Sequence, residues 1–290
     1  MAPDKYSAVW VSHTSITDFL QCERAYQLKH VYKDPKTNHK IKIMSAPLAL
    51  GQAVHEVIES LSVLPVKDRF STLLMDRFDE SWKKVSGKQG GFHDRESEEQ
   101  YKKRGREMIS RVTKNPGPIA RKAVKIQSDL PYYFLSEEDN IILCGKIDWL
   151  EYLEDTDSVH IIDFKTGNNA ESSSSLQLPI YLLLVGNTQK RSVSKASYWY
   201  LAKDEDPIEQ ELPNKDDAYE TILNVAKRMK TARKLGKFKC PSGADGCGYC
   251  LPYEGILKGE GEYIFTDTYN TDTYILTNQS ETKKYESVIL

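Results

Sequence analysis

The chain lacks several features that would indicate particular protein classes. It has no run of about eighteen apolar residues, which a membrane-spanning helix would need. It has no recognisable signal peptide, so we expect an intracellular, cytoplasmic location. It contains no Walker A motif and therefore no phosphate-binding loop of that type. Only five cysteines are present, and the net charge of -2 does not by itself indicate a nucleic-acid binder.

The charge is unevenly distributed despite its small total. Residues 226–239 contain no acid, and residues 27–42 are rich in lysine. The basic residues of the first segment are Lys227, Arg228, Lys230, Arg233, Lys234, Lys237 and Lys239. A local basic surface can follow a phosphate backbone, but a lysine-rich segment is as often a solvated helix face. The sequence leaves both interpretations open.

Composition and periodicity predict a folded α/β protein. The 290 residues are 39% hydrophobic and 28% charged, which is enough to bury a sizeable core. Apolar periodicity predicts helices over residues 15–29, 49–64, 67–85, 96–113, 175–185 and 216–235. Runs of β-branched and aromatic residues predict strands over residues 122–126, 132–135, 141–153, 159–165 and 196–202, and a C-terminal hairpin around Tyr263 and Tyr274. We therefore expect a mixed central sheet flanked by helices.

The end of one predicted strand carries a pair of opposite charges. Asp163 and Lys165 follow the apolar run 159–162, and residues two apart on a strand project to the same face. Asp148, in the preceding predicted strand, adds a second carboxylate. A single aspartate at a strand end is most often a turn former. Two carboxylates with a lysine, however, are the basic set for metal-assisted phosphodiester hydrolysis, in which the acids bind Mg²⁺ or Mn²⁺.

Three more residues complete an ordered series of motifs. His55 lies in a segment of helical periodicity with Glu59 on the same face, and Gln177 and Tyr181 are one helical turn apart. The full series is His55, Asp148, Asp163, Lys165, Gln177 and Tyr181. This series resembles the PD-(D/E)XK nuclease superfamily and, within it, the RecB-like branch, over roughly residues 12–255.

The resemblance implies a restriction-endonuclease-like fold with a metal-dependent active site. The implied metal ligands are His55, Asp148, Asp163 and the backbone carbonyl of Phe164. The catalytic residues would be these three side chains with Lys165, while Gln177 and Tyr181 would contact the nucleic acid. Many relatives carry a glutamate on the strand before the first aspartate, whereas residues 122–135 contain only Asp129 there. The number of catalytic metals is therefore left open.

The cysteines predict a second metal centre. Cys240, Cys247 and Cys250 lie in a loop rich in glycine and polar residues, so they are not ordinary cysteines of a hydrophobic core. Cys144 falls in an apolar strand and is interpreted as a small buried hydrophobe, which leaves Cys22 as the fourth thiol. This pattern resembles the iron–sulfur subgroup of these nucleases, including the AddB nuclease domain and CRISPR-associated RecB-like exonucleases, and implies a [4Fe-4S] cluster. Zinc and disulfides are the alternatives.

These elements predict the organisation of the chain. We expect a nuclease domain over residues 1–255 and a C-terminal extension of unknown role over residues 256–290. Within the domain, residues 47–115 form a helical portion that carries His55, and residues 120–235 form the nuclease core. Cys22 with residues 240–250 forms an iron–sulfur lobe that joins the N- and C-terminal regions.

The predicted function is that of a Mg²⁺- or Mn²⁺-dependent deoxyribonuclease. A single-strand DNA exonuclease in repair, recombination or the processing of CRISPR or phage DNA fits the resemblance best. A helicase or CRISPR adaptation partner would be a separate chain. The alternatives are a non-catalytic module that binds DNA or a partner on the same fold, and a zinc-stapled adaptor protein.

Overall fold

The computed structural model describes residues 4–277, which form two compact units. The larger unit comprises the chain up to Thr17 together with Ala46–Lys237. The smaller unit comprises Asp18–Ser45 together with the chain from Phe238 onward. Among the described residues, no helix combines the length and the apolar character needed to cross a membrane.

Groups of helices and groups of strands follow one another along the chain. The strands are β1 (Val9–Val11), β2 (Lys40–Ile43), β3 (Tyr132–Ser136), β4 (Ile141–Cys144), β5 (Trp149–Leu153), β6 (Ser158–Lys165), β7 (Val193–Tyr200), β8 (Ile208–Gln210), β9 (Gly261–Thr266) and β10 (Thr271–Leu276). The α-helices are α1 (His13–Gln21), α2 (Glu23–Tyr26), α3 (Ala46–Ser60), α4 (Leu74–Lys83), α5 (Arg95–Lys114), α6 (Gln177–Thr188), α7 (Lys215–Leu235) and α8 (Leu251–Leu257). The predicted mixed α/β fold is confirmed, with the strands of residues 4–277 distributed over three sheets.

One sheet of the larger unit has the order β5-β6-β7-β8. Strand β6 pairs antiparallel with β5 and parallel with β7. Because side chains alternate along a strand, Ile162 and Phe164 of β6 face one side and Asp163 and Lys165 face the other. Ile162 and Phe164 belong to the core that includes the buried faces of α3, α4 and α5. The alternation therefore buries the apolar half of β6 and places the charged half on the opposite face.

A second sheet of the larger unit has the order β1-β4-β3. Strand β4 is buried throughout and pairs in parallel with β1, a strand that the sequence did not predict. The single strand predicted over residues 141–153 is wrong, because residues 145–148 separate β4 from β5. The strand predicted over residues 122–126 is reduced to an isolated bridge between Ala123 and Glu151.

The first predicted helix, over residues 15–29, is interrupted. It begins at His13 and ends before Cys22, whose extended backbone starts α2. The Sγ atom of Cys22 accepts a hydrogen bond from the N–H of Ala25 at 3.3 Å, so the thiol itself acts as the N-cap. A cysteine is an uncommon cap, and the sequence pattern therefore did not reveal this boundary.

The helix predicted over residues 67–85 begins only at Leu74. The preceding segment contains Arg69, whose side chain is buried. Its guanidinium donates to the backbone carbonyls of Leu64 and Ile119, at 3.2 and 2.6 Å. A buried arginine that satisfies carbonyls distant in sequence depends on tertiary structure, which local periodicity does not report.

The smaller unit contains a mixed sheet with the order β2-β10-β9. The hairpin expected around Tyr263 and Tyr274 is present as β9 and β10, and the two rings meet edge to face with centroids 5.8 Å apart. Strand β10 also pairs in parallel with β2, which brings the C-terminal region together with residues 18–45. Residues 278–290 of the predicted extension 256–290 lie outside the described residues.

Candidate active site

One face of helix α3 supplies two charged side chains of the candidate site. His55 and Glu59 are one turn apart, and Nδ1 of His55 lies 3.5 Å from Oε1 of Glu59. The same Nδ1 lies 3.5 Å from Oδ2 of Asp148, which directly precedes β5. Ligand atoms of these three residues all lie within 4.8 Å of one another. This spacing is compatible with their binding a single metal ion.

The backbone of β6 orients Asp148. The N–H of Phe164 donates to Oδ2 of Asp148 at 2.9 Å. The ring of Phe164 is buried against Trp149 and Trp199, and it meets the His55 ring edge-on at a centroid distance of 6.3 Å. Through Phe164, the apolar core on one side of β6 therefore positions Asp148 and His55, which are predicted metal ligands. The metal-binding role of the Phe164 carbonyl stays a prediction.

Asp163 is held by the first turn of α6. Its Oδ1 atom accepts hydrogen bonds from Nε2 of Gln177 at 2.6 Å and from the hydroxyl of Tyr181 at 3.2 Å. Gln177 also accepts a hydrogen bond from Nζ of Lys165 through Oε1. Gln177 and Tyr181 are themselves buried, so the structure places them as partners of the charged strand residues. Contact between these two side chains and nucleic acid stays a prediction.

The second oxygen of Asp163 is differently placed. Oδ2 forms an ion pair with Nζ of Lys165 at 3.0 Å, and no other partner of this buried atom is found among residues 4–277. A buried carboxylate oxygen without a hydrogen bond is costly, and a bound cation would satisfy it. A carboxylate oxygen suits a hard divalent cation such as Mg²⁺ or Mn²⁺. Among the described residues, however, the group whose ligand atoms lie within 4.8 Å of one another is His55, Glu59 and Asp148 and does not include Asp163.

Burial and mutual charge shift the titration of the site. Burial and the negative charge of Asp148 raise the pKa of Asp163 to about 7. Burial would lower the pKa of His55, but the neighbouring Asp148 and Glu59 raise it to about 10. Without a cation, His55 is therefore protonated at neutral pH and partly balances the acids around it. A divalent cation would replace that proton.

Comparison with known proteins identifies the family. The family model of the PD-(D/E)XK nuclease superfamily matches residues 10–255. The chain belongs to this superfamily. A search of curated proteins found no match. Among solved structures, the chain is similar to a candidate exonuclease from Eubacterium rectale, with 14% sequence identity, a TM-score of 0.48, and coverage of 84% of this chain and 87% of that chain.

Two acids beside the candidate site of this PD-(D/E)XK protein were not predicted as site residues. The sequence indicates only that Glu59 shares a helix face with His55, and it gives no indication of Glu171. Glu59 carries the same i,i+4 signal as any helical pair, yet its carboxylate lies close enough to His55 and Asp148 to share a metal ion with them, and it also pairs with Lys146. Glu171 lies in the serine-rich loop between β6 and α6, and its Oε2 is 3.0 Å from Nζ of Lys165. No spacing rule links Glu171 to a strand residue six positions earlier, so only the structure reveals this contact.

Four cysteines of the smaller unit form a separate cluster. The sulfurs of Cys22, Cys240, Cys247 and Cys250 all lie within 4.8 Å of one another. Sγ of Cys250 is 3.9 Å from that of Cys247 and 3.8 Å from that of Cys240. Cys144 is not part of this group; its thiol lies in the larger unit and donates to the carbonyl of Val11 at 3.4 Å.

The environment of the cluster suits thiolate ligands. The N–H of Cys247 donates to Sγ of Cys250 at 3.2 Å. Burial and the neighbouring thiols raise the pKa of Cys22 to about 12. Burial opposes ionisation of Cys247 as well, but hydrogen bonds from the N–H groups of Tyr249 and Cys250 help to lower the pKa of its thiol to about 7. Four thiols in one place cannot all ionise without a cation, and a thiolate-bound metal would allow them to do so.

The basic segment at the end of α7 is partly engaged within the protein. Nζ of Lys227 lies 3.0 Å from Oδ2 of Asp139, and Nζ of Lys230 lies 3.6 Å from Oδ1 of the same residue. Lys230 also donates to the backbone carbonyl of Asp139. These two lysines therefore anchor α7 to the turn between β3 and β4, which weakens the interpretation of the whole segment as a phosphate-binding surface.

Proposed function

We propose that this protein is a metal-dependent deoxyribonuclease that hydrolyses phosphodiester bonds at the His55, Asp148, Asp163 and Lys165 site. The observation that carries the proposal is the buried Oδ2 atom of Asp163, which lacks a hydrogen bond among the described residues and lies beside an ammonium. Structural acids of a core are normally satisfied by several directed donors, whereas this oxygen has the ion pair with Lys165 alone among the described residues. Membership of the nuclease superfamily supports the same conclusion.

Each side chain has a distinct role in the proposal. His55, Asp148 and Asp163 would hold Mg²⁺ or Mn²⁺, which when bound would polarise the scissile phosphate and lower the pKa of a water molecule. Lys165 would orient the attacking water or stabilise charge on the phosphate, because its ammonium lies at the open oxygen of Asp163. Gln177 would hold both Asp163 and Lys165 in place, since it donates to one and accepts from the other.

The finer proposal is a single-strand DNA exonuclease. The resemblance of the motif series to the RecB-like branch supports it. Oligonucleotides labelled at the 5′ or the 3′ end, single- and double-stranded, should be degraded in the presence of Mn²⁺, with single strands preferred and labelled ends released first. Internal cleavage of circular single strands would instead indicate an endonuclease.

The test of the active site is the substitution Asp163→Asn, which keeps the shape of the side chain and removes its charge. We expect a loss of cleavage of roughly a hundredfold or more, because metal binding supplies several kcal/mol to the transition state. DNA binding should persist, since it depends mainly on phosphate contacts. The matched control is Asp157→Asn, the same change at a turn residue of the larger unit whose side chain is 71% exposed. Full activity of the Asp163→Asn protein would reject the assignment.

A non-catalytic module that binds DNA is the alternative within the same fold. It predicts that purified protein binds labelled DNA but leaves it intact at every concentration of Mg²⁺ and Mn²⁺. The same cleavage assay therefore separates the two functions, provided that DNA binding is measured in parallel.

We further propose that the cysteine cluster holds a [4Fe-4S] cluster through Cys22, Cys240, Cys247 and Cys250. The resemblance to the iron–sulfur subgroup supports this assignment. One observation favours zinc as the second candidate: four thiolates at about 2.3 Å from one tetrahedral ion have sulfurs roughly 3.8 Å apart. The 3.8 and 3.9 Å separations agree with that spacing, whereas a cubane is larger and needs the sulfurs farther apart.

A further inference from the structure

The ammonium of Lys165 lies between two carboxylates. Its Nζ atom is 3.0 Å from Oδ2 of Asp163 and also 3.0 Å from Oε2 of Glu171. Oε1 of Gln177 accepts a hydrogen bond from the same nitrogen, and the ring of Tyr198 lies below it at 5.0 Å. Lys165 is therefore surrounded by acceptors, and within residues 4–277 it has two ionic partners, Asp163 and Glu171.

Asp163 could pair with either of two cations, the ammonium of Lys165 or a divalent metal ion. A lysine paired with Asp163 alone would compete with a divalent cation for the same oxygen, since opposite charges at 3 Å attract strongly in a buried site. Glu171 is a second carboxylate at the same distance from the ammonium, so Lys165 is attracted to Glu171 as well as to Asp163. When a metal takes Asp163, the ammonium also keeps a counter-ion and remains charged and in place.

The loop between β6 and α6 is built to present Glu171. The N–H of Glu171 donates to the hydroxyl of Tyr200 at 2.8 Å, which fixes the loop to β7. Within the loop, the N–H of Ser175 donates to the carbonyl of Ser172 at 2.9 Å. Burial disfavours the charged form of Glu171, but hydrogen bonds from Ser175 and Lys165 lower the pKa of its carboxyl group below the ordinary value. Glu171 is thus an ionised and anchored partner of Lys165.

We propose that Glu171 is a positioning residue of the active site, which holds the Lys165 ammonium so that the Asp163 carboxylate is available to the catalytic metal. The inference rests on the proposed nuclease function. It assigns a specific task to a loop residue outside the motif series.

The test is a double-mutant cycle read by Mn²⁺ binding, measured from the electron paramagnetic resonance signal of free Mn²⁺. Glu171→Gln keeps the length of the side chain and removes its charge, so Lys165 should pair more tightly with Asp163. We expect Mn²⁺ to bind roughly tenfold more weakly, the size of one charge-assisted hydrogen bond. In a Lys165→Met background, Glu171→Gln should change Mn²⁺ affinity by less than about twofold, because the competing ammonium is gone.

Two controls identify the cause. Glu171→Asp retains the charge on a shorter side chain and should recover part of the lost affinity. Glu80→Gln removes an equal charge from an exposed ion pair with Lys83 on α4 and should leave Mn²⁺ affinity unchanged. Circular dichroism establishes that each variant is folded, and Glu171→Ala, which also removes the charge, carries the comparison if the glutamine variant does not fold.

The outcomes separate the inference from the function on which it rests. An equal loss of affinity in both backgrounds, or no loss in the wild-type background, would overturn the role of Glu171 while DNA cleavage by the wild-type protein stands. A wild-type protein that neither binds Mn²⁺ nor cleaves DNA would contradict the proposed nuclease function itself. A tenfold loss that disappears in the Lys165→Met background would establish the inference.

Discussion

At the scale of single residues, the candidate site is a set of charges that its surroundings do not balance. Asp163 is 3% exposed and Asp148 is 8% exposed, and ionised acids are rarely so buried unless a cation accompanies them. Burial and the charge of Asp148 raise the pKa of Asp163 to about 7, and Asp148 and Glu59 raise the pKa of His55 to about 10. Perturbed titration of this kind is typical of functional sites.

The pKa values predict how metal binding depends on pH. His55, with a pKa of about 10, and Asp163, with a pKa of about 7, must lose their protons before they bind a metal. Affinity for Mn²⁺ should therefore fall as the pH is lowered, by about tenfold per pH unit for the His55 proton alone and more steeply below the pKa of Asp163. Isothermal titration between about pH 6 and about pH 8 would measure this slope.

The variant His55→Ala provides the control for that experiment. Its Mn²⁺ affinity should be lower at high pH, and its pH slope should be reduced by about one proton. A slope that is the same in His55→Ala and in the wild type would show that the His55 proton is not displaced by the metal.

At the scale of elements, close packing between helices positions the site. Helix α3 carries His55 and Glu59 on one side, and its buried residues on the other side share a core with α4 and α5. Gly105 of α5 allows close approach, because a Cβ atom at that position would lie 2.4 Å from Cζ of Phe78 on α4. The glycine is therefore a packing requirement, although a helix interior normally disfavours it.

Two glycine-to-alanine substitutions test this packing. Alanine is favoured over glycine within a helix by about 1 kcal/mol, so Gly186→Ala in α6, where the added methyl group meets no atom of the described residues within 4 Å, should stabilise the protein by up to that amount. Gly105→Ala should instead destabilise it by about 1–3 kcal/mol, because overpacking against Phe78 outweighs helix propensity. Urea denaturation of both variants measures the difference, and a Gly105→Ala protein as stable as Gly186→Ala would contradict the packing account.

At the scale of the whole molecule, distant segments of the sequence combine into each unit. The smaller unit brings residues 18–45 together with the chain from Phe238 onward, and both the cysteine cluster and the sheet β2-β10-β9 consist of these two segments. A metal bound by Cys22 and the three C-terminal cysteines would close a loop of the chain more than two hundred residues long. Such closure removes conformational entropy from the unfolded chain, so the metal should stabilise the unit considerably.

Cysteine substitutions test the cluster and identify its metal. Cys22→Ser should remove metal and lower the melting temperature, whereas Cys144→Ser, which changes a buried thiol of the larger unit, should leave the metal content unchanged. Anaerobically purified protein should be brown and contain about four iron atoms if the cluster is [4Fe-4S]. Colourless protein with one zinc per chain would replace that assignment with zinc, and metal-free protein would refute both.

Residue types and their order along the chain were sufficient to predict the α/β class, the superfamily and the motif residues that the structure brings together. Asp163, Lys165, Gln177 and Tyr181 are predictable because strand and helix periods are local properties, and these four residues lie in consecutive elements. The pairing of β2 with β10 and the burial of Arg69 could not be predicted, since each depends on contacts between residues far apart in sequence.

The tertiary structure alone decided how the charges of the site are shared. Glu59 joins His55 and Asp148, and Glu171 joins Lys165, because folding brings one face of α3 to Asp148 and the loop between β6 and α6 to the end of β6. The sequence determined which chemical groups are present and that they alternate with apolar residues. Which carboxylate faces which cation depends on distances of a few ångströms between separate elements, and close packing of the core determines those distances.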